Sequence, residues 1–192
     1  MRPLGFTLFD TEIGRCGIAW SEGGIAGVQL PEGSELAMRA RMLRRFPGAR
    51  EAPPPAAVQR AIDGVVALLR GESSDLETVA LDMDGVPPFE RSVYEVARTI
   101  PPGATLSYGE VAARLRAPGA ARDVGQALGR NPFAIVVPCH RVVAAGGKLG
   151  GFSARGGVAT KRRLLAVERA QGRGALPLFA LSPPGAADRS RQ

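Results

Sequence analysis

The first thirty residues alternate short apolar runs with glycine-containing turns. The runs are residues 6–9, 16–20 and 25–30, and the turns between them are residues 12–15 and 22–24. Apolar runs of this length, separated by turn residues, are typical of strands joined by tight turns. The pattern therefore predicts a small antiparallel sheet at the N-terminus.

A helical pattern follows the predicted sheet. Ser34 can cap a helix that reaches Phe46. Leu36 and Leu43 fall on the same side of this helix as Phe46. We therefore expect these three residues to form its buried face.

A second helix is predicted beyond the proline-rich stretch at residues 51–56. Its apolar residues recur at the spacing of one helix face: Val58, Ile62, Val65 and Leu69. Residues 78–83 are predicted to form one more strand. These elements together predict an α/β domain over residues 1–85, built from a small antiparallel sheet with helices.

Residues 84–88 combine glycine and prolines and predict a linker to a second, mainly helical domain over residues 86–170. Its first helix is marked by apolar residues ahead of Pro101: Val93, Val96, Ala97 and Ile100. The tail at 171–192 is rich in Gly, Pro, Ala and Arg and is predicted to be flexible.

Two short helices separated by a turn are predicted inside this second domain. Ser107, followed three residues later by Glu110, is the pattern of a capping box that opens the first helix. Residues 116–119 form the turn, and the second helix runs from about Ala120 to Arg130. This order is that of a helix-turn-helix, although any pair of antiparallel helices gives the same pattern.

The net charge changes sign at the predicted linker. Residues 1–85 hold 9 basic and 12 acidic side chains, and residues 86–170 hold 13 basic and 5 acidic ones, within a total of +7 for the chain. Arginine supplies nearly all of the positive charge, and its planar guanidinium suits phosphate recognition. The basic half favours nucleic acid as a partner, with an arginine-rich soluble surface as the alternative.

The second short helix has one nearly bare face. Ala121, Gly125 and Gly129 lie four residues apart along it. Glycine inside a helix costs about 1 kcal/mol relative to alanine, so something must approach this backbone closely. Either another part of the protein packs tightly here or the face enters a DNA groove.

The candidate chemistry lies at Cys139, between Pro138 and His140, the single histidine of the chain. The apolar run at residues 134–137 predicts a buried strand just before it. A cysteine reacts as its thiolate, and the usual acceptor of the thiol proton is a nearby imidazole. Neighbouring residues on a strand point to opposite faces, so we expect a turn or a bridging water between the two side chains.

Other residues bear on the prediction that Cys139 is the reactive cysteine. Three arginines, Arg130, Arg141 and Arg155, are expected to add positive potential that favours the thiolate. The second cysteine, Cys16, has no such neighbours and is expected to be buried and inert.

The sequence Pro-Cys-His-Arg-Val-Val at 138–143, preceded by Arg-Asn-Pro-Phe-Ala-Ile-Val-Val and followed by a glycine-rich loop, resembles the O6-alkylguanine-DNA alkyltransferases. These proteins are also called methylated-DNA–protein-cysteine methyltransferases. Ser107, Tyr108 and Arg122 support the resemblance, which covers about residues 86–168. The first half of the chain fits the smaller α/β domain of the family in length and element order.

The resemblance implies a reaction that uses each protein molecule once. Cys139 accepts the alkyl group from guanine O6, and O4-alkylthymine is expected as a second substrate. His140 takes the thiol proton through a water, and Glu168 orients the histidine, in a variant of the catalytic triad. Asn131 supports the site by hydrogen bonding.

The resemblance also implies how DNA is held. The target base is stacked in the duplex and must be flipped out to reach a buried thiol. Arg122 fills the space that the base leaves, and Tyr108 helps to rotate the nucleotide and stabilises the leaving guanine. The expected minor-groove surface is Ala121, Arg122, Gly125, Gly129 and Arg130 with Tyr108, and the expected substrate pocket is Tyr108, Val142, Phe152 and Ser153.

Three features depart from the pattern of the family. Phe152 lacks the hydroxyl of the tyrosine often found at this position. Ala154 and Arg155 lengthen the lid loop over the pocket. Asp123 adds a negative charge beside Arg122, where the start of a helix favours it.

Three alternatives are weighed against this interpretation. An alkyltransferase-like protein that only flags lesions would lack the cysteine, and Cys139 is present. A helix-turn-helix regulator would need neither the Pro-Cys-His sequence nor Glu168. A cysteine hydrolase would turn over esters or amides, which an alkyltransferase should not do.

The remaining expectations concern partners and location. No metal or organic cofactor is implied, since two cysteines and one histidine do not make a conventional zinc site. The expected partner is double-stranded DNA that contains alkylated guanine. We expect a monomer without membrane contact, located in the cytoplasm.

Overall fold

The computed structural model describes residues 4–72, 74 and 76–168. The strands are β1 (Gly5–Thr11), β2 (Gly14–Ser21), β3 (Gly24–Gln29), β4 (Arg50–Glu51), β5 (Leu106–Ser107) and β6 (Val142–Val143). The helices are α1 (Glu35–Arg45), α2 (Ala56–Leu69), α3 (Pro88–Arg98), α4 (Tyr108–Arg114), α5 (Ala121–Gly129) and α6 (Gly157–Val167). The predicted tail at 171–192 lies outside the described residues.

The N-terminal sheet has the strand order β3-β2-β1-β4. The first three strands pair antiparallel through tight turns, which confirms the predicted meander. The fourth strand, β4, pairs in parallel with β1, so the sheet is mixed and not purely antiparallel as predicted. Because β4 consists of two exposed charged residues, no hydrophobic pattern marks it in the sequence.

Helix α1 is capped as predicted but buries a different face. Leu36 and Leu43 are 78% and 53% exposed, whereas Met38 and Met42 are fully buried with Phe46. Gly17 on β2 explains the choice, because a Cβ there would lie 2.7 Å from the Met42 sulfur. The missing side chain at Gly17 leaves space on the sheet for the methionines of α1. The prediction that Leu36 and Leu43 are buried was wrong.

Helix α2 buries the predicted apolar face, but residues 78–83 form no regular strand. Only Ile25 pairs with this segment: its amide donates to the Ala80 carbonyl at 2.9 Å, and its carbonyl accepts from the Asp82 amide at 2.8 Å. The Asp82 carboxylate then accepts from the Asp84 amide at 3.0 Å. This local hydrogen bond directs the chain away from the sheet after the single bridge to Ile25.

Helices α4 and α5 lie where the sequence predicts two helices, and residues 115–120 join them. The predicted capping box is present, since the Ser107 hydroxyl accepts from the Glu110 amide and the Glu110 carboxylate accepts from the Ser107 amide. Val124, Ala127 and Leu128 are buried on the inner side of α5. The opposite side of α5 remains exposed.

The predicted strand at residues 134–137 is a buried turn. Ile135 has a φ of +72°, in the left-handed region, and the Val137 amide donates to the Phe133 carbonyl at 2.8 Å. Ile135, Val136 and Val137 are nonetheless almost completely buried. The run predicted burial correctly and the backbone conformation wrongly, because a short apolar run does not distinguish a strand from a buried turn.

Both halves of the described chain share one continuous hydrophobic core. At the edge of the N-terminal sheet, the Val28 amide donates to the Pro132 carbonyl at 2.8 Å. Arg98 at the end of α3 donates to the backbone carbonyls of Leu76 and Val79. No helix within the described ranges is long and apolar enough to cross a membrane. The division into domains at residue 85 stays a prediction.

Candidate active site

Cys139 begins a single turn of 3-10 helix, Cys139–Arg141, that follows Pro138. The Arg141 amide donates to the Pro138 carbonyl at 2.8 Å and closes this turn. The turn sends successive side chains in different directions. Cys139 faces a surface cavity, and His140 points into the protein with only 1% of its surface exposed.

The cavity beside Cys139 has a volume of about 360 Å³. Its walls come from α4, α5, the Cys139 turn and the loop before α6: Tyr108, Gly125, Leu128, Gly129, Cys139, Gly151, Phe152 and Ser153. Three of the four predicted pocket residues are therefore in place. The fourth, Val142, is fully buried and is not among these lining residues.

The buried carboxylate of Glu168 binds both His140 and Arg141. Its Oε1 atom lies 2.9 Å from His140 Nε2 and accepts from Arg141 Nη2 at 2.8 Å, while Oε2 accepts from Arg141 Nε at 2.9 Å. The Glu168 side chain is 2% exposed. Two-point binding by a guanidinium is a strong and directional way to hold a carboxylate.

Glu168 is ionised in this setting. Burial raises the pKa of its carboxyl, but the hydrogen bonds of His140 and Arg141, together with the positive charge of the Arg141 guanidinium, outweigh burial and lower the pKa to about 2. An ionised carboxylate can only accept hydrogen bonds. His140 must therefore carry its proton on Nε2 and donate it to Glu168.

The other ring nitrogen of His140 is left as an acceptor. In a neutral imidazole only one nitrogen carries hydrogen, so a proton on Nε2 leaves Nδ1 with a free lone pair. Nδ1 is buried and has no hydrogen-bond partner among the described residues. Nδ1 is therefore the ring nitrogen that can accept a hydrogen bond.

Asn131 lies where the sequence placed it, next to the reactive thiol. Its side-chain nitrogen donates to the Val137 carbonyl at 2.9 Å, and its oxygen accepts from the Phe133 amide at 2.9 Å. These bonds hold the buried turn that leads into Cys139. The Asn131 side chain also lowers the pKa of the Cys139 thiol, against the rise caused by burial.

Lys161 is the site residue that sequence reasoning missed. It is completely buried on α6, donates to the Val142 carbonyl at 2.6 Å and lies 5.8 Å from the centre of the Tyr108 ring. Burial lowers its pKa to about 8. The sequence did contain a signal for this residue. Lys161 precedes Leu164 by three residues and Leu165 by four, which places it on the apolar face of a helix.

Lys161 is also the cation that acts on the thiol. Burial raises the pKa of Cys139, and the bond from Asn131 and the charge of Lys161 oppose that rise. The three arginines expected to do this are engaged elsewhere: Arg130 pairs with Glu90, Arg141 binds Glu168, and Arg155 donates to the Glu32 carbonyl. The prediction that these three arginines favour the thiolate was therefore wrong.

Cys16 differs from Cys139 as predicted. It is completely buried on β2, and burial raises the pKa of its thiol to about 12. A thiol with such a pKa is almost wholly protonated at neutral pH. Cys139 is thus the cysteine with access to the cavity.

The outer face of α5 presents the residues predicted to meet DNA. Arg122, Gly129 and Arg130 are exposed, while Ala121 and Gly125 are half-buried. A Cβ at Gly129 would meet nothing within 4 Å, and one at Gly125 would lie 3.8 Å from the Tyr108 ring. Tight packing inside the protein therefore does not explain why residue 129 is a glycine.

Metal ligands do not gather in this part of the molecule. No three side chains of His, Cys, Asp or Glu come together among the described residues. The site's chemistry rests on a thiol, an imidazole, a carboxylate and an ammonium group.

Comparisons with known proteins agree with this site. The family model for the DNA-binding domain of 6-O-methylguanine DNA methyltransferase matches residues 88–170. The Mycobacterium tuberculosis methylated-DNA–protein-cysteine methyltransferase is 46% identical over 127 residues, covering 66% of this chain and 74% of that protein. The protein of that name from Methanothermobacter thermautotrophicus is 37% identical over 152 residues, covering 79% and 78%.

Solved structures give the same result. The crystal structure of Mycobacterium tuberculosis OGT in complex with DNA matches with a TM-score of 0.69 and 37% identity, over 86% of this chain and 93% of that one. Fold, site and sequence similarity thus agree on one class of protein, the DNA-repair proteins that accept alkyl groups on a cysteine. This chain belongs to the methylated-DNA–protein-cysteine methyltransferases.

Removal of the Lys161 charge should make the Cys139 thiol less acidic. We expect Lys161→Met to raise the Cys139 pKa, because an opposite charge nearby stabilises a thiolate. The pH dependence of alkylation by iodoacetamide, measured in a Cys16→Ser background, reports this pKa. Lys148→Met removes an exposed lysine from the same half and should leave the midpoint unchanged. Equal midpoints in the two lysine variants would contradict the role of Lys161.

Proposed function

We propose that this chain repairs O6-alkylguanine in duplex DNA by moving the alkyl group onto Cys139 in one irreversible displacement. Alkyl transfer from methylated DNA to a protein cysteine is the activity of the family to which it belongs. The observation that carries the assignment to Cys139 is its position on the wall of a base-sized cavity, beside a histidine whose tautomer is fixed by a buried carboxylate.

The proton leaves the thiol by way of His140. Because Glu168 accepts the proton on Nε2, the Nδ1 lone pair is the base. We place one bridging water between Nδ1 and the Cys139 sulfur, since the two side chains leave the turn in different directions. Lys161 and Asn131 stabilise the thiolate that results.

The displacement balances without a cofactor. The Cys139 sulfur forms a bond to the alkyl carbon as the bond from that carbon to guanine O6 breaks, and the electron pair of the broken bond stays on the guanine. The product is an S-alkylcysteine, which no group in the site can hydrolyse. One protein molecule therefore repairs one base.

Tyr108 is placed to stabilise the leaving guanine. Burial raises the pKa of its hydroxyl, and the negative charge of Cys139 adds to that rise, so the group stays protonated and can donate. A donor aimed at the charge that develops in the transition state accelerates the reaction. Its ring forms one wall of the cavity, where a flipped base would stack.

Helices α4 and α5 are proposed to form a helix-turn-helix in which the outer face of α5 lies in the DNA minor groove. Gly125 and Gly129 leave space for the backbone to approach, and Arg122 enters the duplex where the target base has left. Arg130 is proposed to contact DNA beside them, although it also pairs with Glu90. Since one chain holds all of these groups, we propose that it acts as a monomer, and the cytoplasm remains the expected compartment.

The same chemistry extends to O4-alkylthymine, which presents an alkyl carbon on an exocyclic oxygen. Phe152 packs against the core and offers the pocket no hydroxyl. The pocket therefore recognises the base chiefly by shape, by Tyr108 and by backbone groups.

Intact mass measurement after incubation with O6-methylguanine duplex tests the assignment. We expect one methyl group per protein, mapped to Cys139, and none in Cys139→Ser, because a serine hydroxyl does not ionise at neutral pH. Cys16→Ser is the matched control and should react like the unmodified chain. Methyl on Cys16, more than one equivalent of repaired base, or turnover of a thioester or amide substrate would contradict the proposal.

Arg122→Ala should separate base flipping from chemistry. An unfilled stack costs a few kcal/mol, so repair of duplex DNA should slow by roughly 100-fold. Reaction with free O6-benzylguanine, which needs no flipping, should change little. Arg114→Ala, which removes one exposed charge from the neighbouring helix, should have only a small effect on either substrate. If Arg122→Ala slows both substrates equally, Arg122 serves the pocket or the fold and not the duplex.

A further inference from the structure

We infer that Arg155 is a positioning residue that ties the lid over the cavity to the N-terminal half and so limits the size of alkyl group accepted. The lid is defined here as residues 150–156. This inference rests on the proposed function, since it concerns the pocket in which Cys139 reacts. Arg155 is one of the two residues, with Ala154, that are expected from the family resemblance to lengthen this loop.

The far end of the tether is the connection between β3 and α1. Arg155 Nη1 donates to the Glu32 carbonyl. The next residue, Gly33, has a φ of +101°, and a Cβ on it would lie 2.8 Å from the Arg155 guanidinium carbon. The guanidinium thus packs against a backbone that only glycine leaves open.

The connection that receives Arg155 is itself fixed. The Glu32 carboxylate accepts from the Gln29 side chain at 3.0 Å, and the Gln29 oxygen accepts from Arg45 of α1 at 2.7 Å. Gln29 is buried at the end of β3. Arg155 is therefore held by the sheet and helix of the N-terminal half and not by a loose loop.

The near end of the tether lies within two residues of the cavity. Gly151, Phe152 and Ser153 line the cavity directly before Ala154 and Arg155. The Arg155 carbonyl accepts from the Thr160 hydroxyl at 2.6 Å, which joins the end of the lid to α6. A displacement of Arg155 is thus transmitted to the wall opposite Cys139.

The start of the lid is held from the other side. Gly150 has a φ of +69°, and a Cβ on it would lie 3.2 Å from the Tyr108 hydroxyl. The lid therefore packs closely against Tyr108 at one end and is hydrogen-bonded to the Glu32 carbonyl at the other. When the lid is held at both ends, the cavity fits a small alkyl group closely. When one end of the lid is released, the cavity has room for a larger alkyl group.

The experiment compares two lesions in the same duplex, O6-methylguanine and O6-benzylguanine, under single-turnover conditions. Effects on DNA binding cancel in the ratio of the two rate constants for transfer to Cys139. For Arg155→Ala we expect methyl transfer to slow about fivefold, because small misplacements near a reacting centre are costly. Benzyl transfer should change less, so that the benzyl-to-methyl ratio rises about threefold or more.

Three further variants separate positioning from charge and from fold. Arg162→Ala removes an exposed arginine of α6 and should keep the ratio of the unmodified chain. Arg155→Lys keeps a donor and should restore the ratio in part. Gly33→Ala, which acts from the other half of the molecule, should raise the ratio, and combining it with Arg155→Ala should raise it no further. A cooperative thermal transition in each variant confirms that it is folded.

The outcomes are distinct. A raised ratio in Arg155→Ala and Gly33→Ala, with an unchanged ratio in Arg162→Ala, supports the inference. Transfer to Cys139 with the same ratio in all variants overturns the inference alone. Absence of transfer by the unmodified chain overturns the proposed function, and this inference with it.

Discussion

The buried carboxylate of Glu168 is the constraint on which the rest of the site depends. A lone buried carboxylate would be too costly to ionise, and Arg141 removes that cost by binding both oxygens. The ionised group then dictates which nitrogen of His140 carries the proton. This ion pair, which does not line the cavity, thereby leaves Nδ1 of His140 as the nitrogen that we propose accepts the thiol proton.

The backbone of the protein is arranged around this pair. The 3-10 turn places Cys139 at the cavity and brings both His140 and Arg141 to Glu168. Helix α6 supplies Lys161 and leads directly into Glu168, so one element brings both the cation and the carboxylate to the turn. The N-terminal half contacts the segment that leads into this turn, through the hydrogen bond from the Val28 amide to the Pro132 carbonyl, next to Asn131.

Local patterns in the sequence predicted the local features well. The strand meander, the capping box at Ser107 and the positions of α4 and α5 follow from turn residues and helix caps, which act over a few residues. The face of α1 could not be read in this way, because a hollow at Gly17 decided it. Lys161 was missed for a similar reason: its partners, the Val142 carbonyl and the Tyr108 ring, meet it only in the folded chain. Cys139 and His140 stood out in the sequence itself, whereas the roles of Asn131, Tyr108 and Glu168 were predicted only through resemblance to a family.

The central claim, that Glu168 fixes His140 as a base with a free Nδ1, can be tested on one residue. His140 is the single histidine of the chain, so uniform 15N-histidine labelling gives one imidazole to observe. Nitrogen-proton correlation spectra of the unalkylated protein, at a pH where the ring is neutral, report which nitrogen is protonated. The account predicts a protonated Nε2 and an unprotonated Nδ1, and a loss of this preference in Glu168→Gln. A neutral ring protonated on Nδ1 in the unmodified protein would contradict it.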